Sequence, residues 1–278
     1  MDVLATTRAV MTKLRTSERK VAEYVLQHPE SVIGKSITRL ADDAGTSEPT
    51  VMRFCRKLGL SGYMDLKMNL ARNLPSSRYI HENVNERDTV PQVFAKMFKS
   101  ANQAFCRAMT QLDLTVLEKA ATALAAAGKI EFYGVGGSGI VARDAHHKFF
   151  RLGIPCNAYD DPHMQIMSAA LLHTSDVVVA ISHTGSTRDI IEAVKLAKVN
   201  GATVIGITGE GKTPLGRLCQ MVISVESEEA ALRLAPMTSR LVQLAVMDVL
   251  FVSVAMRNMT ETRKKLDKVK HSLVGKRY

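Results

Sequence analysis

At 278 residues, 46% hydrophobic and 23% charged, the chain has the composition of a folded protein with room for two modest domains. Its formal charge of +10 sits at the two ends: residues 1–75 hold 12 Lys and Arg against 8 Asp and Glu, residues 257–278 hold 8 against 2, and residues 76–256 are balanced at 17 each. That distribution argues against a generally cationic surface and favours a polyanionic partner for the first segment.

The pattern from Ser17 to Leu74 is helical throughout, with Val21, Val25 and Leu26, then Ile37, Leu40, Ala41 and Ala44, then Val51, Phe54 or Cys55, and Leu58 at helix spacing. Residues Ile37 to Leu58 fit a helix-turn-helix: an amphipathic first helix, a turn at Gly45-Thr46, and a second helix opened by Ser47-Glu48-Pro49-Thr50. Ser47 suits the N-cap, and Pro49 suits the first turn, where a missing N–H goes unused. With the apolar positions turned inward, Glu48, Thr50, Met52, Arg53, Arg56 and Lys57 are expected outward. A helix of this kind presents its N-terminal part to the major groove, where Arg pairs with guanine and Glu accepts from cytosine. The candidate DNA-contacting set is Ser47, Glu48, Thr50, Arg53, Arg56, Lys57 and Lys67, with Arg53 and Arg56 on bases and Lys57, Lys67 and Arg72 on phosphates. A charged, solvated face is the competing reading.

Helix propensity breaks at Leu74-Pro75-Ser76-Ser77, and the polar, aperiodic stretch after it reads as a linker over 76–92. The division expected is residues 1–75, an all-helical DNA-binding domain, the linker 76–92, and a second domain over 93–278. Two helices are predicted there, Val93 to Thr110 and Asp113 to Ala127, after which the period changes. Apolar runs at Ile130–Tyr133, Ile154–Tyr159, Val177–Ile181, Thr203–Ile207 and Met221–Val225 alternate with segments of helical length. The fold class is therefore α/β: after the helical domain, a three-layer α/β/α domain with a five-stranded parallel sheet. Ligands in that architecture sit beyond the carboxyl ends of the strands.

Two loops fall at that edge. Gly134-Val135-Gly136-Gly137-Ser138-Gly139 satisfies G-x-G-x-x-G, with Asp160 after the next strand, which taken alone is a dinucleotide fingerprint. A hydroxyl inside the loop, a second cradle on another strand and too little chain for a catalytic domain all weigh against a dinucleotide. The second loop, Ser182-His183-Thr184-Gly185-Ser186-Thr187, packs hydroxyls and a glycine at the mouth of a helix, which suits a phosphate. Helix capping by Ser186 or Thr187 alone is the bland alternative. The candidate effector-binding residues are Gly136, Ser138, Ser182, His183, Thr184, Ser186 and Thr187. A base for sugar isomerisation would have to be His183 or one of Glu226, Glu228 and Glu229, and no poised pair stands out, so no catalysis is expected. His146 and His147 lie two turns into a helix and read as structural.

Cys55, Cys106, Cys156 and Cys219 show no paired or metal-ligand spacing and read as reduced core thiols, and neither a metal nor a cofactor is expected. No charged segment followed by an apolar core opens the chain, which makes the expected location cytoplasmic. Leu241 to Met256, broken by Gln243, Asp248 and Ser253, reads as a buried or subunit-facing helix and not a membrane span.

Several stretches are familiar together. Ser17 to Ala22, Leu40-Ala41, Ser47 to Val51, Arg53 to Gly59, Gly62-Tyr63 and Leu66-Lys67 resemble the N-terminal domain of the RpiR family of bacterial transcription regulators. Gly134 to Gly139 and Ile181 to Gly185 look like the sugar isomerase (SIS) domain those regulators carry. Within the family, Ser47 to Val51, Asn83 to Asn85, Lys148 to Arg151, Ile181 to Gly185 and Pro236 to Arg240 most resemble its HexR branch. That resemblance implies a homodimeric regulator, usually a repressor, of glucose catabolism and the Entner–Doudoroff pathway. It implies a palindromic double-stranded DNA operator and, as effector, a phosphorylated sugar acid such as 2-keto-3-deoxy-6-phosphogluconate. The family's effector serines fall on Ser138 and Ser182, and the phosphate loop of SIS enzymes carries over to Ser182, Thr184 and Thr187. A sugar-phosphate isomerase with an accessory DNA-binding domain is the alternative.

Overall fold

The computed structural model describes residues 2–73, 79–81, 84–209, 212–225 and 237–274. They divide into two compact units, one from the described residues up to Gln103 and one from Ala104 onward.

The first unit is built on six helices: α1 (Val3–Val10), α2 (Thr16–Gln27), α3 (Pro29–Gly34), α4 (Ile37–Asp43), α5 (Glu48–Lys57) and α6 (Tyr63–Asn73). Local chemistry starts them: the Asp2 carboxylate accepts from the Ala5 N–H at 3.0 Å, the Ser36 hydroxyl accepts from Arg39 at 3.1 Å, and α3 opens on Pro29. Val3, Val21, Val25, Leu40, Val51, Phe54, Leu66 and Leu70 close one buried core. Gly45 makes the turn between α4 and α5 with φ +59°, and the Gly45 and Thr46 amides reach back to Asp42 and Ala41 at 3.0 and 2.8 Å. This helix-terminating pattern needs the left-handed conformation that glycine adopts without strain. The stretch expected as a linker carries two short strands, β1 (Tyr79–His81) and β2 (Val84–Asn85), paired antiparallel. Helix α7 (Val90–Gln111) then begins three residues earlier than its periodicity suggested, and it runs through the division between the units.

The second unit continues with α8 (Leu114–Ala125), β3 (Ile130–Gly134), α9 (Gly137–Phe149), β4 (Cys156–Tyr159), α10 (Pro162–Ala170), β5 (Val177–Ser182), α11 (Arg188–Val199), β6 (Thr203–Thr208), β7 (Met221–Ser224), α12 (Thr238–Arg257) and α13 (Met259–Leu273). The sheet is five-stranded with order β4-β3-β5-β6-β7, and every pair is parallel. Its core strands alternate faces. Val177, Val179 and Ile181 pack with Leu124, Val141, Ala145, Val246 and Leu250 of α8, α9 and α12, whereas Val178 and Ala180 pack with Ile190, Ala193 and Val194 of α11. The three layers expected from alternation of strands and helices are thus formed, and β5, buried along its whole length, reads as an unbroken apolar run because helices cover both faces. On length and composition α12 could cross a membrane, but Val242, Val246, Met247, Leu250 and Val254 turn one face of it into the core.

Candidate functional site

Helix α5 is the reader helix expected from the sequence, and its packing redistributes the roles assigned to its residues. Both Phe54 and Cys55 are buried, and the inward face they define extends to Thr50, which is 3% exposed and not outward as its spacing suggested. Burial pushes the Cys55 thiol up to about 12. The Thr50 hydroxyl accepts from the Arg53 guanidinium at 2.7 Å and bonds the Ser47 hydroxyl at 3.0 Å. Ser47 occupies the N-cap, yet its side chain serves Thr50 instead of a helix amide. Glu48 is half-buried and takes a 2.7 Å hydrogen bond from Thr38 on α4, so its carboxylate braces the two helices of the motif. Arg53 also lies 3.9 Å from the buried Glu18 carboxylate on α2. Its own side chain is 48% exposed, so it is held at its root and open at its tip. Arg56 and Lys57 are exposed at the helix end. Lys67 donates to the Lys35 carbonyl at 3.0 Å and lies over the Tyr63 ring, an internal contact where its position suggested an outward phosphate ligand.

Strand order places the second site. The chain steps from β3 to β4 on one side and then crosses back over β3 to β5 on the other, so the carboxyl ends of β3 and β5 flank the switch point where open sheets bind ligands. The two hydroxyl- and glycine-rich loops leave from these two strands, and Gly134 pairs in register with Ile181 beside them. In the first loop, a side chain at Gly134 would begin 2.5 Å from the Ser138 carbonyl oxygen, and one at Gly139 would begin 2.9 Å from Asp160. These glycines let α9 start hard against the strands, with Gly136 at its N-cap and Ser138 half-buried in its first turn. The Gln165 amide, from α10, fastens the strand ends from below, donating to the carbonyls of Gly134 and Tyr159 at 3.2 and 2.8 Å. Arg143 pairs with Asp160 at the rim.

In the second loop the buried Ser182 hydroxyl lies 3.1 Å from the Thr187 hydroxyl, which binds it instead of capping α11. The Thr184 hydroxyl accepts from the Ser186 N–H at 3.3 Å, and the Ser186 hydroxyl donates to the Thr184 carbonyl at 3.2 Å. Ser182, Thr184, Ser186 and Thr187 are therefore gathered at the mouth of a helix of 12 residues, whose dipole favours an anion. His183 lies across the loop after β6: its carbonyl accepts from Gly209 at 2.7 Å, and a side chain at 209 would begin 2.8 Å from its ring Cε1. Its Nδ1 is buried. Glu226, Glu228 and Glu229, the other candidate bases, lie outside the described residues. The sequence reading missed Gln165 and Thr213, the latter fully buried beneath Gly185. Only their position beyond strand ends hinted at a role.

Residues 1–77 match the family described as "Helix-turn-helix domain, rpiR family", and residues 123–253 match "SIS domain". The chain is 40% identical to the HTH-type transcriptional regulator HexR of Pseudomonas aeruginosa, over 100% of this chain and 97% of that protein. It is likewise 40% identical to HexR of Escherichia coli, over 100% of this chain and 96% of that protein. The solved structure of the Vibrio vulnificus NanR protein complexed with ManNAc-6P is 27% identical and superposes with a TM-score of 0.89 across 99% of both chains. With a reader helix in one unit, a parallel-sheet ligand crevice in the other and full-length relatives of this kind, the chain belongs to the RpiR family of transcriptional regulators, of the HexR type.

Proposed function

We propose that the protein is a homodimeric repressor of sugar catabolism genes, released from a palindromic operator by a phosphorylated sugar acid such as 2-keto-3-deoxy-6-phosphogluconate. The observation that carries this reading is the pairing of a glycine-rich loop bearing Ser138 with a hydroxyl-rich loop across the strand-order switch point, in a chain that also carries a reader helix. On the DNA side Arg53 and Arg56 address bases, Lys57 addresses phosphate, and Thr50, Ser47 and Glu48 hold Arg53 and the helix in place. On the effector side Ser182, Thr184, Ser186 and Thr187 take the phosphate, while Gly136 and Ser138 reach the same ligand from the first loop. A full-length relative solved with ManNAc-6P supports a sugar phosphate at this crevice. Half-sites about one helical turn apart, or a multiple, suit a two-fold dimer.

The effector acts by binding one arrangement of the dimer more tightly than the other, and DNA selects the opposite arrangement. We take the site to be a sensor without turnover, since the His183 ring is packed against Gly209 and a base must reach a carbon-bound proton. Thermal-shift titration with phosphorylated sugar acids and with nicotinamide dinucleotides tests this. Stabilisation by sugar acids, lost in Ser138→Ala and Ser182→Ala, is expected. Stabilisation by dinucleotides alone would overturn the ligand class, and measurable aldose–ketose turnover abolished by His183→Ala would overturn the sensor.

A further inference from the structure

We propose that Thr213, from the loop after β6, is the positioning residue of the Ser182–Thr187 loop. The proposal rests on the phosphate reading given above and adds a residue outside both ligand loops. Gly185 stands in the left-handed region at φ +58°, and three contacts hold it there. Its N–H donates to the Ser182 carbonyl at 3.0 Å, its carbonyl accepts from the Leu215 N–H at 2.9 Å, and Thr213 fills the space on its α-carbon. A methyl group at 185 would stand 2.3 Å from the Thr213 Oγ1 and 2.4 Å from its Cβ, both far inside van der Waals contact.

Thr213 is itself fixed. It is fully buried, its hydroxyl accepts from the Gly216 N–H at 3.0 Å, and its carbonyl accepts from Arg217 at 3.1 Å. Leu215, also fully buried, packs into the cluster that contains Ile190, Ala193 and Val194 of α11. The turn from 213 to 216 is therefore anchored to the same helix whose mouth receives the anion. A loop whose central residue is glycine has the widest backbone freedom of any, and a phosphate bound by converging hydroxyls needs that freedom removed beforehand. The Thr213 side chain removes it by contact and is in turn held by the Gly216 amide. Losing the hydroxyl strands that buried amide and loosens the wedge.

The test is calorimetric titration of the full-length protein with 6-phosphogluconate and, separately, with inorganic phosphate as the minimal probe. Thr213→Val, which keeps the shape and loses the acceptor, is expected to weaken both probes by about the same factor, roughly tenfold. Thr213→Ser, which keeps the acceptor, is expected to recover most of that loss. Operator binding in the absence of either probe should be unchanged in both variants, a control that general unfolding would fail. Wild-type affinity in Thr213→Val, while Ser182→Ala abolishes binding, would overturn this inference and leave the phosphate site standing. Failure of the wild type to bind either probe would overturn both. Weakening of 6-phosphogluconate alone would also overturn it, because a residue acting through the phosphate loop must affect the phosphate by itself.

Discussion

Asp43 closes α4 between two cations, Lys35, which it bonds together with the Tyr24 hydroxyl, and Arg39, whose Nε lies 3.2 Å away. Burial alone would push its carboxyl up, but the Lys35 ammonium outweighs this, and the net result lies below the ordinary value of 3.8. A carboxyl depressed by folding contributes stability above its unfolded pKa and loses it as pH falls through the folded one. Denaturant titrations of wild type and Asp43→Asn from pH 7 to pH 2.5 should therefore show a stability gap that narrows below about pH 4. A gap independent of pH would remove the ion pair as its origin. Burial sets the thiols apart as well: Cys55 and Cys219 are pushed up to about 12 and Cys156 to about 11, whereas Cys106, expected in the core with the rest, is exposed on α7. Alkylation of the native protein at pH 8 should label Cys106 first, and early labelling of Cys55 would contradict its place in the core. Residue identity was legible in the sequence where spacing decided it, as at Val51 and Leu58. It was not legible at Thr50, Glu48 and Lys67, whose partners Arg53, Thr38 and the Lys35 carbonyl depend on how helices pack and on contacts up to 32 residues away.

Elements were more legible than contacts. All five sheet strands lie on their predicted runs, and β5 reads most plainly, because a parallel strand covered on both faces must be apolar along its length. The turn at Gly45 was readable because a left-handed residue there has one inexpensive solution. What spacing left open was the face of α12. Its core side is settled by Val242, Val246 and Leu250, and its other side leaves Val249 and Val252 each 51% exposed and Met256 65% exposed. An apolar stripe on the outside of a core helix is the natural seat of a subunit contact, and we place the proposed dimer there. Val252→Glu puts a charge into that contact without touching the core. Sedimentation should then show a monomer where wild type shows a dimer, with operator affinity falling because two half-sites are no longer bound together. A dimer unchanged in Val252→Glu and in Val249→Glu would move the interface to another surface.

Among the described residues the buried apolar side chains form three clusters: one runs through residues 3–70, and the other two contain only residues from 104 onward. Separate cores mean that a cavity made in one lowers the stability of that unit first. Phe54, fully buried on α5, is the sharpest place to make it. Phe54→Ala is expected to destabilise the helical unit by about 3–5 kcal/mol, a large share of the roughly 5–15 kcal/mol that holds a domain folded. Operator binding should then fail on warming well before wild type loses it, because the reader helix carries this side chain. Stabilisation of the second unit by 6-phosphogluconate should persist, since none of the hydroxyls at the switch point belongs to the damaged core. The complementary variant, Ser182→Ala, should bind operator normally without effector and should fail to release it when effector is added. Coupling between sites is reciprocal, so if the sugar phosphate releases DNA as proposed, operator DNA in wild type weakens the sugar phosphate by the same factor. In Phe54→Ala that factor should fall towards one as the helical unit unfolds, with effector affinity settling at the value found without DNA. Loss of effector binding in Phe54→Ala at a temperature where the second unit is folded would show that the crevice depends on the helical unit for its assembly, and the division into reader and sensor would fail.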